Sequence, residues 1–491
     1  MRGSRGPLLG LAAVALAYTA IQLAVTARIG LGWDESIYAS QVAHGVPAAD
    51  FSAPRARGVP LLLAPVALFT PSVTALRVYL SLLSGTGLFM AYLPWLRLRR
   101  GFAVPLAAAM FAGLWLSLLY GNQAMPNLWV AFSAVAGTGL FCLARERRGG
   151  PPVPARRVPA RRVPAGLVTA GLVTAFAVAS LLRPTDASWL ALPLVAYGLT
   201  RRKPRAAPAV VAGLAIGWAE WCAEAFQRYG GPVARLRAAG ADNETGLHFT
   251  LGDHLRALDG PLLCRYGSPC GDYPAGHITW FAALLVLAAL GVWAARHRPP
   301  GGRTPYRRAL GLALATGLCL LASYVFTVGY SAPRFLLPAY ALLTLPAVEP
   351  LCRLGGRRVW IPVITLALAG YATLQGVTLN GWATYERTAR ERDVTAAGAL
   401  RDLGVRSPCL IYGHHGVQVG YLMRCASVGV VSRYGGTTPP VAVSDALNRH
   451  LRVAVISSHR RPPAAYLDKW KRVRIAVGAS STWYAFLPHG R

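Results

Sequence analysis

Eleven apolar stretches separated by short arginine clusters constrain this chain more than any other feature of its sequence. A helix needs about 20 apolar residues to cross the hydrocarbon core of a bilayer. Eleven segments reach or approach that length, so each is predicted to be a membrane-spanning helix, the sixth being short. The predicted spans are 7–27, 73–96, 102–119, 126–144, 165–182, 187–200, 207–225, 277–295, 309–328, 334–352 and 359–379.

The composition of the chain excludes an ordinary soluble protein. Hydrophobic residues make up 54% of it and charged residues 14%, whereas average soluble domains carry roughly 25% charged residues. The net charge of +32 alone would suggest nucleic-acid binding. The arginines, however, fall in clusters between apolar runs, as the positive-inside rule describes. We therefore expect membrane lipids, and no nucleic acid, as partners.

Arginine placement also predicts the orientation of the chain. Five clusters fall in alternate loops, and they therefore lie on one side of the membrane. These clusters are 97–100, 145–162, 201–205, 296–308 and 353–358. The positive-inside rule assigns that side to the cytoplasm. A first outer loop at 28–72, a second at 227–276 and the tail after residue 380 then lie outside, in a multi-pass protein of the cell membrane.

Two apolar segments near the N-terminus are ambiguous. The first span could be a signal peptide, but the many later spans favour a retained anchor. Segment 58–70 is only about 13 residues long, too short to cross. Counting it as a span would also place the 97–100 cluster outside. We predict an interfacial or re-entrant helix there.

The tail at 381–491 differs in character from residues 1–380, which form the predicted transmembrane catalytic domain. Its apolar runs are short, as in strands, and alternate with amphipathic segments, as in helices. The predicted strands are 409–412, 452–457, 473–477 and 482–487, and the predicted helices are 394–403 and 417–424. The tail is therefore predicted to be a small extracytoplasmic α/β domain. The pair His414-His415 follows its first strand, where a turn is favoured over a catalytic role.

Four of the eight cysteines lie in predicted outer regions, where disulfides form. Proximity in sequence suggests that Cys264 pairs with Cys270 and Cys409 with Cys425. Metal binding is less favoured, because neither pair has a second thiol or a histidine cluster at zinc spacing.

Asp34 and Glu35 form an acidic pair directly after the first span. Outside the tail, acidic residues are concentrated on the predicted outer side, so acid or base chemistry must face outward. One interpretation is an interfacial helix start, with Asp34 as its cap and with Trp33 and Tyr38 in the aromatic belt. The other makes Asp34 a general base that accepts a proton from an attacking hydroxyl. Glu35 points in a different direction and would orient the acceptor.

At these residues the chain resembles the GT-C superfamily of membrane glycosyltransferases, which use polyprenyl-phosphate sugars. The closest resemblance is to the branch of protein O-mannosyltransferases and lipid A aminoarabinose transferases. The matching features are Trp33-Asp34-Glu35 with Tyr38, Arg57 to Leu61, Leu76-Arg77, Leu182 to Thr185, and Pro333 to Tyr340. The resemblance covers the first 350 residues, and the order of these motifs along the chain carries more weight than any single motif. It implies a polytopic α-helical membrane protein of about 11 transmembrane helices, GT-C-like, with a small C-terminal extracytoplasmic α/β domain.

The resemblance also implies roles for individual residues. The first-loop aspartate of the family, here Asp34, is the catalytic acid/base residue, and Tyr38 is a nearby substrate contact. In the family, basic residues at the membrane surface hold the lipid phosphate. Here that role falls first on Arg57 and Arg334. Arg183 and Tyr330 are the second candidates. A guanidinium offers several fixed donors to phosphate oxygens. For Arg334 the alternative is a cation that flanks a span and reaches the interface.

One departure from the family concerns metal ions. Relatives often carry an acidic residue near the outer start of the fourth span, whereas this chain has an amide at Asn127. No cofactor is expected, and a metal-dependent mechanism is not favoured. Glu220 and Glu224 lie on one helical face and could compensate. Solvation at a helix end is the preferred explanation for both.

The resulting prediction is an inverting glycosyltransferase that moves a sugar, mannose by preference, from a polyprenyl phosphate to an extracytoplasmic acceptor hydroxyl. The acceptor could be a protein, a glycan, a lipid or a secreted small molecule. The alternatives are a transporter or lipid-linked-glycan flippase without catalysis, and a noncatalytic assembly protein. Transport usually leaves ionisable residues near the bilayer midplane. The sequence shows none clearly. Its abundance of Ala, Arg, Gly and Pro is typical of a high-GC bacterium.

Overall fold

The structure is a computed structural model that describes residues 5–99, 101–146, 164–200, 206–265, 270–297, 304–430, 433–478 and 481–489. The arginine clusters at 147–162 and 201–205 lie outside these ranges.

Helices form the body of the protein from its N-terminus to residue 402. In chain order they are α1 (Arg5–Val25), α2 (Trp33–Ser40), α3 (Gly58–Ala67), α4 (Val73–Tyr92), α5 (Trp95–Leu98), α6 (Ala103–Ala112), α7 (Trp115–Leu119), α8 (Pro126–Glu146), α9 (Ala165–Leu182), α10 (Pro184–Thr200), α11 (Ala206–Arg228), α12 (Pro232–Asp242), α13 (Leu251–Arg256), α14 (Ala275–Arg296), α15 (Thr304–Thr327), α16 (Leu337–Leu354) and α17 (Ile361–Asp402). Short 3₁₀ turns at Pro333–Leu336 and Arg358–Trp360 precede α16 and α17.

Nine helical segments of the described chain are long and apolar enough to cross a bilayer. They are α1, α4 continued into α5, α8, α9, α11, α14, α15, α16 and α17. All nine coincide with predicted spans, and the chain is a multi-pass membrane protein. The short apolar segment of the first loop forms α3, a ten-residue helix that contains Pro65.

The remaining two predicted spans form shorter helices than the other nine, as expected for the sixth. The third divides into α6 and α7, because Leu114 between them has extended backbone. The break is held by the backbone N–H of Trp115, which donates to Oε1 of Gln375 at 3.0 Å instead of continuing the helical ladder. The sixth is α10, which has 17 residues and contains Pro193.

Helix α17 joins the membrane body to the C-terminal domain. Its 42 residues would extend about 63 Å at 1.5 Å per residue, roughly twice the thickness of the hydrocarbon core. The predicted domain boundary at residue 380 therefore falls inside a continuous helix. Ala396, Ala397 and Leu400, near its end, are buried in the core of the C-terminal domain.

The C-terminal domain is built on a mixed five-stranded sheet. A two-stranded ribbon comes earlier in the chain, β1 (Cys264–Arg265) with β2 (Tyr330–Ser331). The domain elements are β3 (Cys409–Gly413), α18 (Gly416–Met423), β4 (Ala426–Gly429), α19 (Val441–Asn448), β5 (Arg452–Ser457), β6 (Lys471–Ala476) and β7 (Thr482–Leu487). The strand order is β4-β3-β5-β7-β6, with β3 parallel to β4 and β5 and with β7 antiparallel to β5 and β6. The four predicted strands and two predicted helices are present, and β4 and α19 are additional.

The C-terminal domain rests on the short helix α2. Helix α18 packs against α2, and the hydroxyl of Tyr421 donates to the carbonyl of Pro71 at 3.1 Å. Helix α17 passes close to the segment before α2, since a Cβ added at Gly30 would lie 2.8 Å from the Cβ of Arg390. Glycine is therefore required at residue 30. The domain packs on the helix that carries the acidic pair, and α17 packs on the segment before it.

Candidate functional site

Helix α2 presents its two acidic side chains to different surroundings. Its N-terminus follows Gly32, whose backbone N–H donates to Oε2 of Glu35 at 2.8 Å. Such a side-chain acceptor satisfies one of the free N–H groups at a helix start. The remaining bonds of Glu35 also lead inward, since Oε1 accepts from the backbone N–H of Ala124 at 2.7 Å.

Glu35 and Arg77 form a buried ion pair. The two guanidinium nitrogens of Arg77 lie 2.6 and 2.9 Å from the carboxylate oxygens. Further donors of Arg77 reach the carbonyls of Ile29, Gly30 and Asn122. Burial alone would raise the pKa of Glu35, but Arg77 and the backbone N–H groups of Gly32 and Ala124 together outweigh it, and the net pKa lies below the ordinary value. Glu35 thus fixes α2 from inside, and it does not face the exposed side of Asp34.

Asp34 is the partly exposed member of the pair, with 37% of its side chain accessible. Its Oδ1 accepts from Arg55 at 2.8 Å, and its Oδ2 lies 3.4 Å from a guanidinium nitrogen of Arg334. Burial again acts to raise the pKa of this carboxylate, while Arg55, Arg334 and Arg183 together lower it more strongly. The net pKa is below the ordinary value, so Asp34 is ionised at neutral pH.

Tyr38 lies beneath one of these two arginines. The guanidinium of Arg55 lies 5.1 Å from the centre of the Tyr38 ring, and its Nε donates to Oγ of Ser52 at 3.1 Å. Tyr38 itself is buried and packs edge-on against Phe51. The ring therefore supports the guanidinium that holds Asp34.

Arg57 lies in a second cluster, apart from Asp34. It bonds to Glu224 on α11 and to Oε1 of Gln41. The same Glu224 accepts from the buried Arg235 at 2.8 Å and lies 3.4 Å from Arg228. Solvation at a helix end is therefore the wrong explanation for Glu224, which is buried among three arginines. The phosphate contact assigned to Arg57 stays a prediction, and 28% of its side chain is exposed.

Arg183, whose charge acts on Asp34, and Tyr330 line a cavity of about 230 Å³. Six of its 19 lining residues are aromatic, and we call it the aromatic cavity. The rings that line it belong to Trp189, Trp218, Trp221, Tyr324, Tyr330 and Phe335. Asp186 also lines it and is bonded to Arg183 at 2.9 Å and to the hydroxyl of Tyr324 at 2.8 Å.

The cysteines of the predicted outer regions lie at bonding distance in both predicted pairs. Cys264 and Cys270 form a disulfide with an S–S distance of 2.04 Å, and Cys409 is bonded to Cys425. Among the described residues, Asp253, Cys264 and Cys270 are the one group of three metal-binding side chains whose ligand atoms all lie within 4.8 Å. Sulfurs joined in a disulfide are not thiolate ligands, so this group does not fit a metal ion.

The histidine pair of the C-terminal domain lies in a turn. His415 has a left-handed backbone with φ of 54°, directly before α18. Its Nδ1 lies 2.5 Å from Oδ1 of Asp393 on α17. Burial lowers the pKa of the neighbouring His414 to about 4, so that ring is neutral at physiological pH. These contacts tie the first strand of the domain to α17.

Sequence reasoning did not identify three of the arginines that pair with the acidic residues. Arg55 was overlooked although it lies on the predicted outer side, where arginine is disfavoured and so requires an explanation. Arg77 was noted only as part of a motif, and Arg235 was not considered. The available signal in all three cases is an arginine in or beside a predicted outer loop.

Nearly the whole chain is similar to solved structures of ArnT and of an archaeal oligosaccharyltransferase. ArnT from Cupriavidus metallidurans bound to undecaprenyl phosphate is 15% identical, with a TM-score of 0.60 and 97% of each chain covered. The apo form of that protein is 14% identical, with a TM-score of 0.61 and the same coverage. The oligosaccharyltransferase AglB from Archaeoglobus fulgidus, in complex with an inhibitory peptide and a dolichol-phosphate, is 12% identical, with a TM-score of 0.51. That match covers 91% of this chain and 69% of AglB.

No protein-family model and no curated protein sequence matches the chain. The similarity to solved structures extends over nearly its full length, including α17 and the C-terminal sheet. The chain therefore has the fold of the GT-C membrane glycosyltransferases.

Proposed function

We propose that this protein is an inverting glycosyltransferase that moves a sugar, by preference mannose, from a polyprenyl phosphate to a hydroxyl of an extracytoplasmic acceptor. The observation that carries the proposal is the partly exposed Asp34 carboxylate between Arg55 and Arg334. Solved proteins of the same fold hold undecaprenyl phosphate and dolichol-phosphate, which supports a lipid phosphate as the carrier. The arginine clusters of the opposite loops support an outward-facing site.

Asp34 acts as the general base in this reaction. It accepts the proton of the acceptor hydroxyl while that oxygen attacks the anomeric carbon of the donor. The bond from that carbon to the phosphate oxygen breaks on the opposite side, and its electron pair leaves with the polyprenyl phosphate. The configuration at the anomeric carbon inverts. The lowered pKa of Asp34 keeps the carboxylate ready to accept the proton at neutral pH.

Arg334 is the best-placed group to stabilise the departing phosphate. Its contacts are a weak one with Asp34 at 3.4 Å, a second at 3.4 Å to the carbonyl of Leu262 and a hydrogen bond with Tyr120, and they leave its hydrogen-bonding capacity partly unused. Its Nε is buried and has no hydrogen-bond partner among the described residues. A buried donor of this kind gains most when an anion arrives.

Replacement of Asp34 by Asn tests the proposed reaction. Membranes that contain the Asp34→Asn variant, supplied with polyprenyl-phosphomannose, should transfer about 10² to 10⁴ times less sugar than wild type, the usual contribution of a general base. Membrane insertion should be unchanged. Asp50→Asn, at an exposed residue of the same loop, is the matched control and should transfer normally. Transfer at nearly the wild-type rate by Asp34→Asn would refute the role of this carboxylate.

A further inference from the structure

The aromatic cavity and the charges around Asp34 restrict the sugar that this site can take. Resting on the proposed function, we propose that the cavity is a subsite for a single uncharged sugar ring and that it disfavours amino sugars. The ring in the cavity is a neutral sugar in either case, whether it is part of the donor or part of the acceptor.

The cavity is connected to the proposed base through the arginines that act on it. Pro54 lines the cavity, and the next residue, Arg55, bonds to Asp34. Phe335 also lines it, and the preceding residue, Arg334, is the second partner of Asp34. Arg183 lines the cavity itself, and its charge lowers the pKa of Asp34. A ring held in the cavity would therefore lie close to the arginines that surround the carboxylate.

The dimensions and lining of the cavity fit one sugar ring. Its volume of about 230 Å³ lies below the roughly 300 to 1,000 Å³ of pockets for drug-sized ligands. Sugar rings present C–H groups on their faces, which pack favourably on the electron-rich faces of aromatic rings. Trp189, Trp218 and Trp221 supply such surfaces, while Asn243 and Thr245 offer partners for sugar hydroxyls.

The two carboxylates in and near the cavity, those of Asp186 and Asp34, are already paired with arginines and are not available to an ammonium group. Among the described residues that line the cavity, Arg183 and Asp186 are the charged ones, and Asp186 is already bonded to Arg183 and to Tyr324. Asp34 is likewise engaged by its two arginines. Three guanidinium groups against two carboxylates leave a net positive charge. An ammonium group would meet repulsion, whereas an uncharged ring attached to a phosphate would meet none.

Binding of soluble sugar phosphates tests the subsite without requiring transfer. The purified full-length protein is titrated with mannose 1-phosphate and with 2-amino-2-deoxymannose 1-phosphate, which differ by one ammonium group. We expect the amino sugar to bind at least about tenfold more weakly. Equal or tighter binding of the amino sugar would overturn the inference about charge.

Two pairs of variants locate the effect. Arg183→Gln frees the Asp186 carboxylate and should reduce the preference for the neutral sugar, whereas Arg183→Lys keeps the charge and should preserve that preference.

Trp189→Ala should weaken binding of mannose 1-phosphate by about tenfold through loss of a stacking surface. Trp293→Ala, at an exposed tryptophan on α14, is the matched control and should bind normally. Normal binding by Trp189→Ala would remove the cavity as the sugar subsite.

The source of the ring follows from a third ligand. If methyl mannoside binds as tightly as mannose 1-phosphate, the ring belongs to the acceptor; if the phosphate binds more tightly, it belongs to the donor. Either result supports the subsite. Selective binding without transfer from polyprenyl-phosphomannose would keep the subsite and refute the proposed reaction, so the two failures are distinguishable.

Discussion

The two faces of α2 carry neighbouring carboxylates with opposite surroundings. On one face, Asp34 is partly exposed and shares its oxygens between Arg55 and Arg334 at distances of 2.8 and 3.4 Å. On the other face, Glu35 is 3% exposed and bonds to Arg77 and to two backbone N–H groups. An acid that must exchange a proton with substrate needs access, whereas one that fixes a helix needs saturated bonds. Residues one position apart thus divide into a reactive group and a supporting one.

The largest expected effect concerns the stability of the supporting face. Glu35→Ala leaves the guanidinium of Arg77 buried without its counter-ion, which costs about 3 to 5 kcal/mol. Thermal unfolding of the purified protein should show a strongly lowered midpoint. Asp34→Asn should cost no more than about 1 kcal/mol, as expected for a partly exposed ion pair.

A double variant checks the cause of that loss. Adding Arg77→Met to Glu35→Ala removes the unpaired charge and should restore part of the stability. If Glu35→Ala alone unfolds at the wild-type temperature, Glu35 does not stabilise the fold more than Asp34 does.

The next largest effect concerns the reactive face and donor use. Arg334→Ala removes the proposed phosphate donor and should lower transfer by about 10² to 10³, the usual loss for one preorganised electrostatic contact. The concentration of polyprenyl-phosphomannose required for half-maximal rate should rise. Arg228→Ala, which removes an exposed guanidinium from the separate Glu224 cluster, should leave the donor requirement unchanged. An unchanged donor requirement in Arg334→Ala would contradict phosphate binding.

A smaller effect concerns the pH dependence of the reactive face. Asp34 must be ionised to accept a proton, so activity falls as the pH drops through its pKa. Arg55 lowers that pKa, and Arg55→Gln should therefore raise it. The acid limb of the pH–rate profile should move to higher pH. Arg237→Gln, at an exposed arginine of α12, should leave the limb in place, and a common shift in both variants would indicate a general charge effect instead.

Much of the helical body could be predicted from the sequence, because a bilayer span demands a minimum apolar length. The division between α6 and α7 could not, since that segment stays apolar throughout. The break depends on Gln375, which lies 260 residues after the Trp115 N–H that it accepts. Strand β4 was missed for another reason, because four residues are too few to show an alternating pattern.

In the site, too, residues marked by their local position could be predicted, whereas contacts between residues far apart in the sequence could not. Asp34 could be identified from its position after the first span, but one of its partners, Arg334, is 300 residues away. Arg55 is only 21 residues away and could have been recognised as an arginine on the disfavoured side. The different orientations of Asp34 and Glu35 were expected from helix geometry. The burial of Glu35 was not, because it depends on Arg77 and Ala124.

The smallest effect is expected at an exposed ion pair outside both faces of α2. Glu244 and Arg265 lie 3.3 Å apart, and each is about two-fifths exposed. Glu244→Ala should change the free energy of unfolding by at most about 1 kcal/mol and should leave transfer unchanged, because water already solvates both groups. Chemical unfolding beside Glu35→Ala provides the measurement. If Glu244→Ala lost as much unfolding free energy as Glu35→Ala, pairing with arginine, and not burial, would make an acidic residue essential to stability. The contrast between Glu35 and Asp34 would then need another cause.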